Sequence, residues 1–174
     1  MDDDDEVLDL VDKNDKVIGT ILRTQKIKLA GQRVGYLRAA EILICNKYGQ
    51  LWIPRRSKKK AIAPGGLDYS ASGHVASGES YLQTAIRETE EELNLKVEPK
   101  FLKLLHKFPP EGDEKLFFRT VYVYESDETP DYNSDDFSGY EWVTPEELLK
   151  KLKNGEPAKR SLAETIGYLI EHSI

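Results

Sequence analysis

A chain of 174 residues with 39% hydrophobic and 9% aromatic content suits one domain with a buried core, and its composition argues against wholesale disorder. Its net charge of −6 excludes a nucleic-acid polymer as the default partner, and no apolar run nears the ~18 residues of a membrane span. The single cysteine, Cys45, excludes an internal disulfide, and no signal peptide precedes the acidic start, so the expectation is a soluble cytoplasmic domain.

Residues 1–6, MDDDDE, read as a solvated, disordered charge run. Val7 to Val11 and Val17 to Leu22 read as short strands about an Asn- and Asp-rich turn, and Arg23 to Arg38 is a basic connection without clear period. Ala39 to Cys45 is β-rich and largely apolar, as in a strand buried on both faces, and Gln50 to Pro54 resumes as a strand after a turn at Asn46 to Gly49. Arg55 to Lys60, RRSKKK, carries five positive charges. Such a run is ordinarily a solvated loop, but its place between a strand and a glycine-bearing segment offers Arg55 or Arg56 as a phosphate contact. Phe101 to Phe108 and Leu116 to Tyr124 read as strands joined by a proline-rich loop, and Gly139 to Val143 as another strand after an acidic loop. Thr144-Pro-Glu-Glu147 is a capping box with proline at the first helical position, giving a helix to about Lys153, stopped by Gly155. Ser161 to Glu164 repeats the capping pattern before a last helix with Leu162, Ile166, Leu169 and Ile170 on its apolar stripe. The sum is a mixed sheet with helices packed on it, in α/β or α+β order.

The chain is organised around Gly73 to Leu95, GHVASGESYLQTAIRETEEELNL, where a helix sits behind a glycine-containing loop. Ser80 and Gln83 form a capping box, so the helix should begin near Tyr81 and run to about Leu93. Leu82, Ala85, Ile86, Thr89 and Leu93 share one stripe and should pack on the sheet. Glu88, Glu91 and Glu92 lie at i, i+3 and i+4, within an arc of ~100° beside that stripe. Like charges at this spacing repel, and Arg87, one turn from Glu91, cannot offset them all. An exposed acidic face is the alternative; a Mg²⁺ or Mn²⁺ ion among the carboxylates resolves the conflict directly.

Gly73, five residues, Glu79, seven residues, Arg87-Glu88, two residues, Glu91-Glu92 resembles the signature of the Nudix superfamily at each of its charged positions. Thr89 stands where that pattern has an aliphatic residue and Asn94 where it has glycine; neither change removes a ligand. Thr89 still packs, and Asn suits a left-handed helix C-cap. The strands on either side and Glu141 to Leu148, EWVTPEEL, extend the likeness over most of residues 36–170, leaving 1–35 as an acidic tail and hairpin extension.

The resemblance implies a mixed sheet sandwiched between helices and hydrolysis of a diphosphate linkage in a small organic or nucleoside diphosphate derivative. Glu88, Glu91 and Glu92 would hold Mg²⁺, with Mn²⁺ as a substitute and the Gly73 carbonyl assisting, while Glu79 pairs with Arg87. The general base would be Glu91 or Glu92, with Glu111 and Glu114 as rivals. Homodimers are frequent among such proteins. DLVDKNDKVIGT, RRS and DYSASGHVASGES further resemble the branch that includes isopentenyl diphosphate isomerase. That isomerase needs a cysteine where Ser72 stands, a histidine where Leu37 aligns, and an acidic residue where Leu116-Phe117-Phe118 runs. Isomerase activity is therefore disfavoured, as is a non-catalytic binding module, which predicts degraded carboxylates. Of the isomerase site His74 remains, as a loop hydrogen-bonding or substrate-binding residue.

Overall fold

The structure is a computed structural model that describes residues 6–26, 34–111 and 116–172. The acidic start before Glu6, residues 27–33 of the basic connection, and Glu114 lie outside the described residues.

Eight strands and three helices follow one another among the described residues: β1 (Val7–Val11), β2 (Val17–Leu22), β3 (Leu37–Cys45), β4 (Leu51–Arg56), β5 (Ala71–His74), α1 (Tyr81–Leu93), β6 (Leu102–Phe108), β7 (Phe117–Glu125), β8 (Phe137–Val143), α2 (Pro145–Lys153) and α3 (Leu162–Glu171). Six of the strands form a mixed sheet in the order β6-β7-β3-β4-β8, with β5 also paired to β3. The central β3 runs parallel to β7 from Leu37↔Phe117 to Cys45↔Glu125. On its other side β3 pairs with β4 only at Ile44 and Cys45, and with β5 from Ala39 to Ile42. Ser70 serves that fork: its Oγ accepts from the Ile44 N–H (2.8 Å) and donates to the Trp52 carbonyl (2.7 Å), so both buried backbone groups are satisfied.

Alternation along β3 explains the layers. Ala40, Ile42 and Ile44 face a core that includes Trp52, Ala71 and, from α1, Ala85 and Leu93. Leu43 faces the opposite core, with Leu51, Ile53, Leu148 of α2, and Leu162, Ile166 and Leu169 of α3. A mixed α+β fold results, the sheet held between α1 and the α2–α3 pair. No helix among the described residues is long and apolar enough to cross a membrane.

The β1–β2 hairpin packs Leu8 and Leu10 against Leu37, which is fully buried. It also bridges to the body at Leu8↔Ala76 and Val11↔Tyr36. Asp9 accepts from Ser77 Oγ (2.7 Å) and the Gly78 N–H (3.3 Å), so the hairpin supports the loop that leads into α1.

Three local expectations change. Ala71–His74 is a strand rather than loop, because β3 has free edge to pair there once β4 diverges. The buried face of α1 includes Thr84 and Glu88, with Leu82 and Ile86 only partly covered, so the helix is rotated toward its carboxylates. Ser161 makes no side-chain cap on α3, because its Oγ accepts from the Tyr69 hydroxyl (3.2 Å) and donates to Glu41 (3.4 Å), while Glu164 pairs with Arg119.

Candidate active site

Strand β5 sets Ser72 opposite Glu41 and Gly73 opposite Ala40 on β3. The chain then turns through Gly78, at φ +81°, and enters α1 at Ser80. Ser80 Oγ accepts from the Gln83 N–H (3.2 Å), and Gln83 returns the bond (2.9 Å). At the other end Asn94 caps α1 in the left-handed conformation, φ 50°, and Thr89 is buried with its hydroxyl on the Ala85 carbonyl (2.7 Å). Both departures from the motif are thus accommodated.

Arg87 is the hub of the site. Its guanidinium holds Glu79 through Nε (3.1 Å) and Nη2 (3.1 Å), and Nη2 also donates to the His74 carbonyl (3.2 Å). Nη1 donates to Glu88 Oε1 (2.6 Å) and Glu91 Oε2 (3.3 Å). Glu79 accepts a further bond from Thr84 Oγ1 (2.6 Å). Burial pushes the Glu79 carboxyl up, but the Arg87 and Thr84 bonds outweigh it and hold it below the usual carboxylate range. Glu88 is 8% exposed, and a Cβ on Gly73 would overlap its carboxylate, so only glycine leaves room there. Burial raises the Glu88 carboxyl despite Arg87, and the Glu91 charge adds to the rise. Glu92 Oε2 accepts from the Ser72 N–H (3.0 Å). Burial, then the charges of Glu88 and Asp68, push Glu92 up to about 8, against Lys159 and the Ser72 bond.

Gly73, Glu88, Glu91 and Glu92 line one cleft of about 290 Å³ with Ser72, His74 and Arg87. Glu6, Arg23, Lys60, Asn133 and Asp136 complete its walls. Burial and the neighbouring cations Lys26, Arg23, Lys159 and Arg87 lower His74 to about 3, so it is a neutral ring, tilted against Phe117 at 5.4 Å. As the side chains stand, no three His, Cys, Asp or Glu groups among the described residues converge to ligate one ion. The reason is visible: Arg87 engages Glu88 and Glu91, and Ser72 engages Glu92. The donor set nonetheless suits a hard divalent cation, being all carboxylate oxygen on one wall with two of its pKa values raised by burial and mutual repulsion.

The two arginines expected at substrate are not among the cleft-lining residues. Arg56 is buried, its guanidinium committed to Asp68 and the Ile62 carbonyl (2.7 Å). Arg55 is tied to Glu156 (2.8 Å) and the Gly65 carbonyl (2.9 Å). Lys60, from the same basic run, reaches the cleft instead, where it pairs with Asp136. Glu111 is exposed and is not among the lining residues either. Asn133, Asp136 and Lys60 carry no local signal that separates them from solvated loop, since their place depends on strand pairing far along the chain. Tyr69 is core, with no exposure, and Tyr36 packs edge-on against Phe118.

Comparison with known proteins accords with this geometry. The family model for the NUDIX domain matches residues 35–166. A protein named Nudix hydrolase from Deinococcus radiodurans is 44% identical over 162 residues, 93% of this chain and 92% of its own length. A crystal structure of a protein from the same organism has a TM-score of 0.82 at 42% identity, covering 93% of this chain and 98% of that one. An isopentenyl-diphosphate Delta-isomerase from Pectobacterium atrosepticum is 29% identical over 145 residues, 82% of this chain and 79% of its own. The isomerase branch is therefore the weaker likeness, as Ser72 and the buried Leu37 require. With motif, fold and family model agreeing over the same residues, the chain belongs to the NUDIX family.

Proposed function

We propose that the chain is a Nudix pyrophosphohydrolase that uses Mg²⁺, or Mn²⁺ as a substitute, to cleave a diphosphate linkage in a small organic or nucleoside diphosphate derivative. The observation that carries this reading is that Glu88, Glu91 and Glu92 line one cleft together with Gly73, with Arg87 bonded to two of them.

Glu88, Glu91 and Glu92 would hold the cation, with the Gly73 carbonyl beside them. When bound, the ion neutralises charge developing on phosphate oxygens and makes water more acidic. Arg87 fixes the loop to the helix through Glu79 and the His74 carbonyl, and so sets where the carboxylates point. Glu92, held at the end of β5 by the Ser72 N–H, is the proposed general base, and Glu91 is the alternative. Lys60 and Arg23 also line the cleft, each paired there with a carboxylate, Asp136 and Glu6, and would meet an anionic substrate by exchanging those partners. Neutral His74 offers a hydrogen bond to the substrate without adding charge. A cytoplasmic setting and a small-molecule substrate accord with the net charge of −6 and the single cysteine. Homodimerisation remains part of this reading through its frequency in the family alone.

A phosphate-release screen over nucleoside diphosphate derivatives, coenzymes and isoprenoid diphosphates with Mg²⁺ identifies the substrate class. On the substrate so found, Glu92→Gln is expected to lose about 100-fold or more in turnover while keeping the wild-type circular dichroism. Turnover at the wild-type rate in that variant would refute the assignment.

A further inference from the structure

Asn94, which stands where the motif has glycine, does more than tolerate a positive φ. The helix α1 ends there, and a helix leaves the carbonyls of its last turn without partners of its own. One of these, the Glu92 carbonyl, accepts from the Asn133 N–H (2.7 Å) in the acidic loop 126–136 between β7 and β8. Asn94 adds a second bond, its Nδ2 donating to the Asp131 carbonyl (2.6 Å). Helix end and loop thus meet at two points, spaced by two residues on either side. Tyr132, between Asp131 and Asn133, is tilted on the buried Trp52 (5.8 Å), which fixes the depth of the loop. A glycine at position 94 would keep the first bond, which is made by backbone, and lack the second.

What the loop carries makes this position matter. Asn133 and Asp136 line the cleft together with the carboxylates of α1. Asn133 organises the turn between them: its carbonyl accepts from the Asp136 and Phe137 N–H groups (3.0 Å each), and its Oδ1 from the Asp135 N–H (3.0 Å). The Asp136 carbonyl takes the Ser57 N–H (2.8 Å), and its carboxylate pairs with Lys60. A chain of contacts therefore runs from Asn94 through Asp131, Asn133 and Asp136 to Lys60 of the basic run. One helix end places both Glu92 and Lys60, the first directly and the second through the loop.

We propose that Asn94 is a positioning residue whose side chain sets the wall of Asn133, Asp136 and Lys60 against the carboxylates of α1. An anionic substrate then meets Lys60 at a fixed distance from the residues that would hold the cation. This rests on the diphosphate-cleaving reading and goes beyond the motif, in which a glycine has no side chain to reach the loop. Asn94 is not among the cleft-lining residues, so it acts through the Asp131 carbonyl rather than on substrate.

The test uses Asn94→Gly, which keeps the left-handed cap and removes the amide, and Asn94→Asp, which keeps the shape and exchanges the donor for an acceptor. Both are expected to hold the wild-type circular dichroism. In hydrogen exchange read by mass spectrometry, residues 131–136 should exchange about three- to tenfold faster, the range one hydrogen bond is worth, with residues 81–90 unchanged. Calorimetric titration with methylenediphosphonate, a diphosphate whose bridge resists hydrolysis, should show binding to the full chain with Mg²⁺ weakened by a similar factor. In steady-state assays the loss should fall on KM rather than kcat, which a general loosening of the fold would not produce. Lys60→Met should weaken binding by itself, and adding Asn94→Gly to it should cost nothing further, since the wall then has no cation to place. Exchange at the wild-type rate in Asn94→Gly overturns the tie, and faster exchange with wild-type affinity overturns its role in the site. Losses that multiply in the double variant overturn the route through Lys60, and all three results leave the hydrolase reading standing. A wild-type chain that binds no diphosphonate and cleaves no diphosphate overturns both.

Discussion

At the scale of single residues the site depends on what Gly73 lacks. The Glu88 carboxylate occupies the space a Cβ would need, and the overlap extends to Glu88 Cγ, so more than the tip of the side chain would have to move. Gly73→Ala is expected to cost about 1–3 kcal/mol of stability by overpacking. Because it displaces a proposed metal ligand, it should lower turnover by about 100-fold, against a small change in melting temperature. Retention of both Mg²⁺ affinity and turnover would show that Glu88 has no part in holding the ion. That Arg87, Glu88, Glu91 and Glu92 come together was legible in the sequence because the constraint there is local: α1 sets their spacing. The fate of Arg55 and Arg56 was not, because a guanidinium beside a strand end is drawn to whichever carboxylate the tertiary fold brings up, here Asp68 for Arg56 and Glu156 for Arg55.

Elements are joined by few, strong ties, and Asp15 is one of them. It sits in the β1–β2 turn at φ 60° and reaches three other elements: Arg38 of β3 (2.6 Å), Tyr81 of α1 (3.0 Å) and Lys107 of β6. Burial pushes the Asp15 carboxyl up, but bonds from Lys107, Arg38 and Tyr81 outweigh it, so the folded pKa lies below the usual 3.8. The sign follows: the stabilisation is fully present above pH 3.8 and is lost as pH falls through the lower folded value. Asp15→Asn keeps a residue that tolerates positive φ and removes only the charge. With solvent near the turn screening part of the attraction, it is expected to cost about 1–2 kcal/mol at neutral pH. The gap between the two proteins should close on acidification below 3.8, as read by urea unfolding; a gap that is constant with pH would assign the tie to shape rather than charge. Capping boxes at Ser80 and Thr144 were readable because both partners lie three residues apart. Ser161 shows the limit of that reading: the same pattern occurs, but Glu41 and Tyr69, far away in sequence, compete for its hydroxyl.

Across the whole molecule, a buried ionic group joins the sheet to α3. Arg119 of β7 donates to Glu41 of β3 (3.0 Å), the Tyr69 hydroxyl (3.2 Å) and Thr165 of α3 (3.2 Å). Burial raises the Glu41 carboxyl, with the Arg119 charge the chief opposing influence. Removing one partner strands the other, so Arg119→Met is expected to cost about 3–5 kcal/mol in urea unfolding. Adding Glu41→Leu should recover most of it, since the stranded charge is then gone. Equal stability of the single and double variants would contradict this. No periodicity announces such a pair, because Glu41 reads as an interruption of an apolar strand until Arg119 lies beside it.

The parallel pairing of β3 with β7 also sets the order of events in time. Residues 37–45 cannot find their neighbour until residues 117–125 exist, and everything that forms the carboxylate wall lies on the chain between them. Closing so long a loop makes the centre of the sheet a late and slow step, and on a ribosome it waits until β7 has been made and has left the exit tunnel. Until then α1 can lie on β3 and β5, which precede it in the chain, but the flank of its core that β6 and β7 supply through Leu102 and Tyr122 is missing.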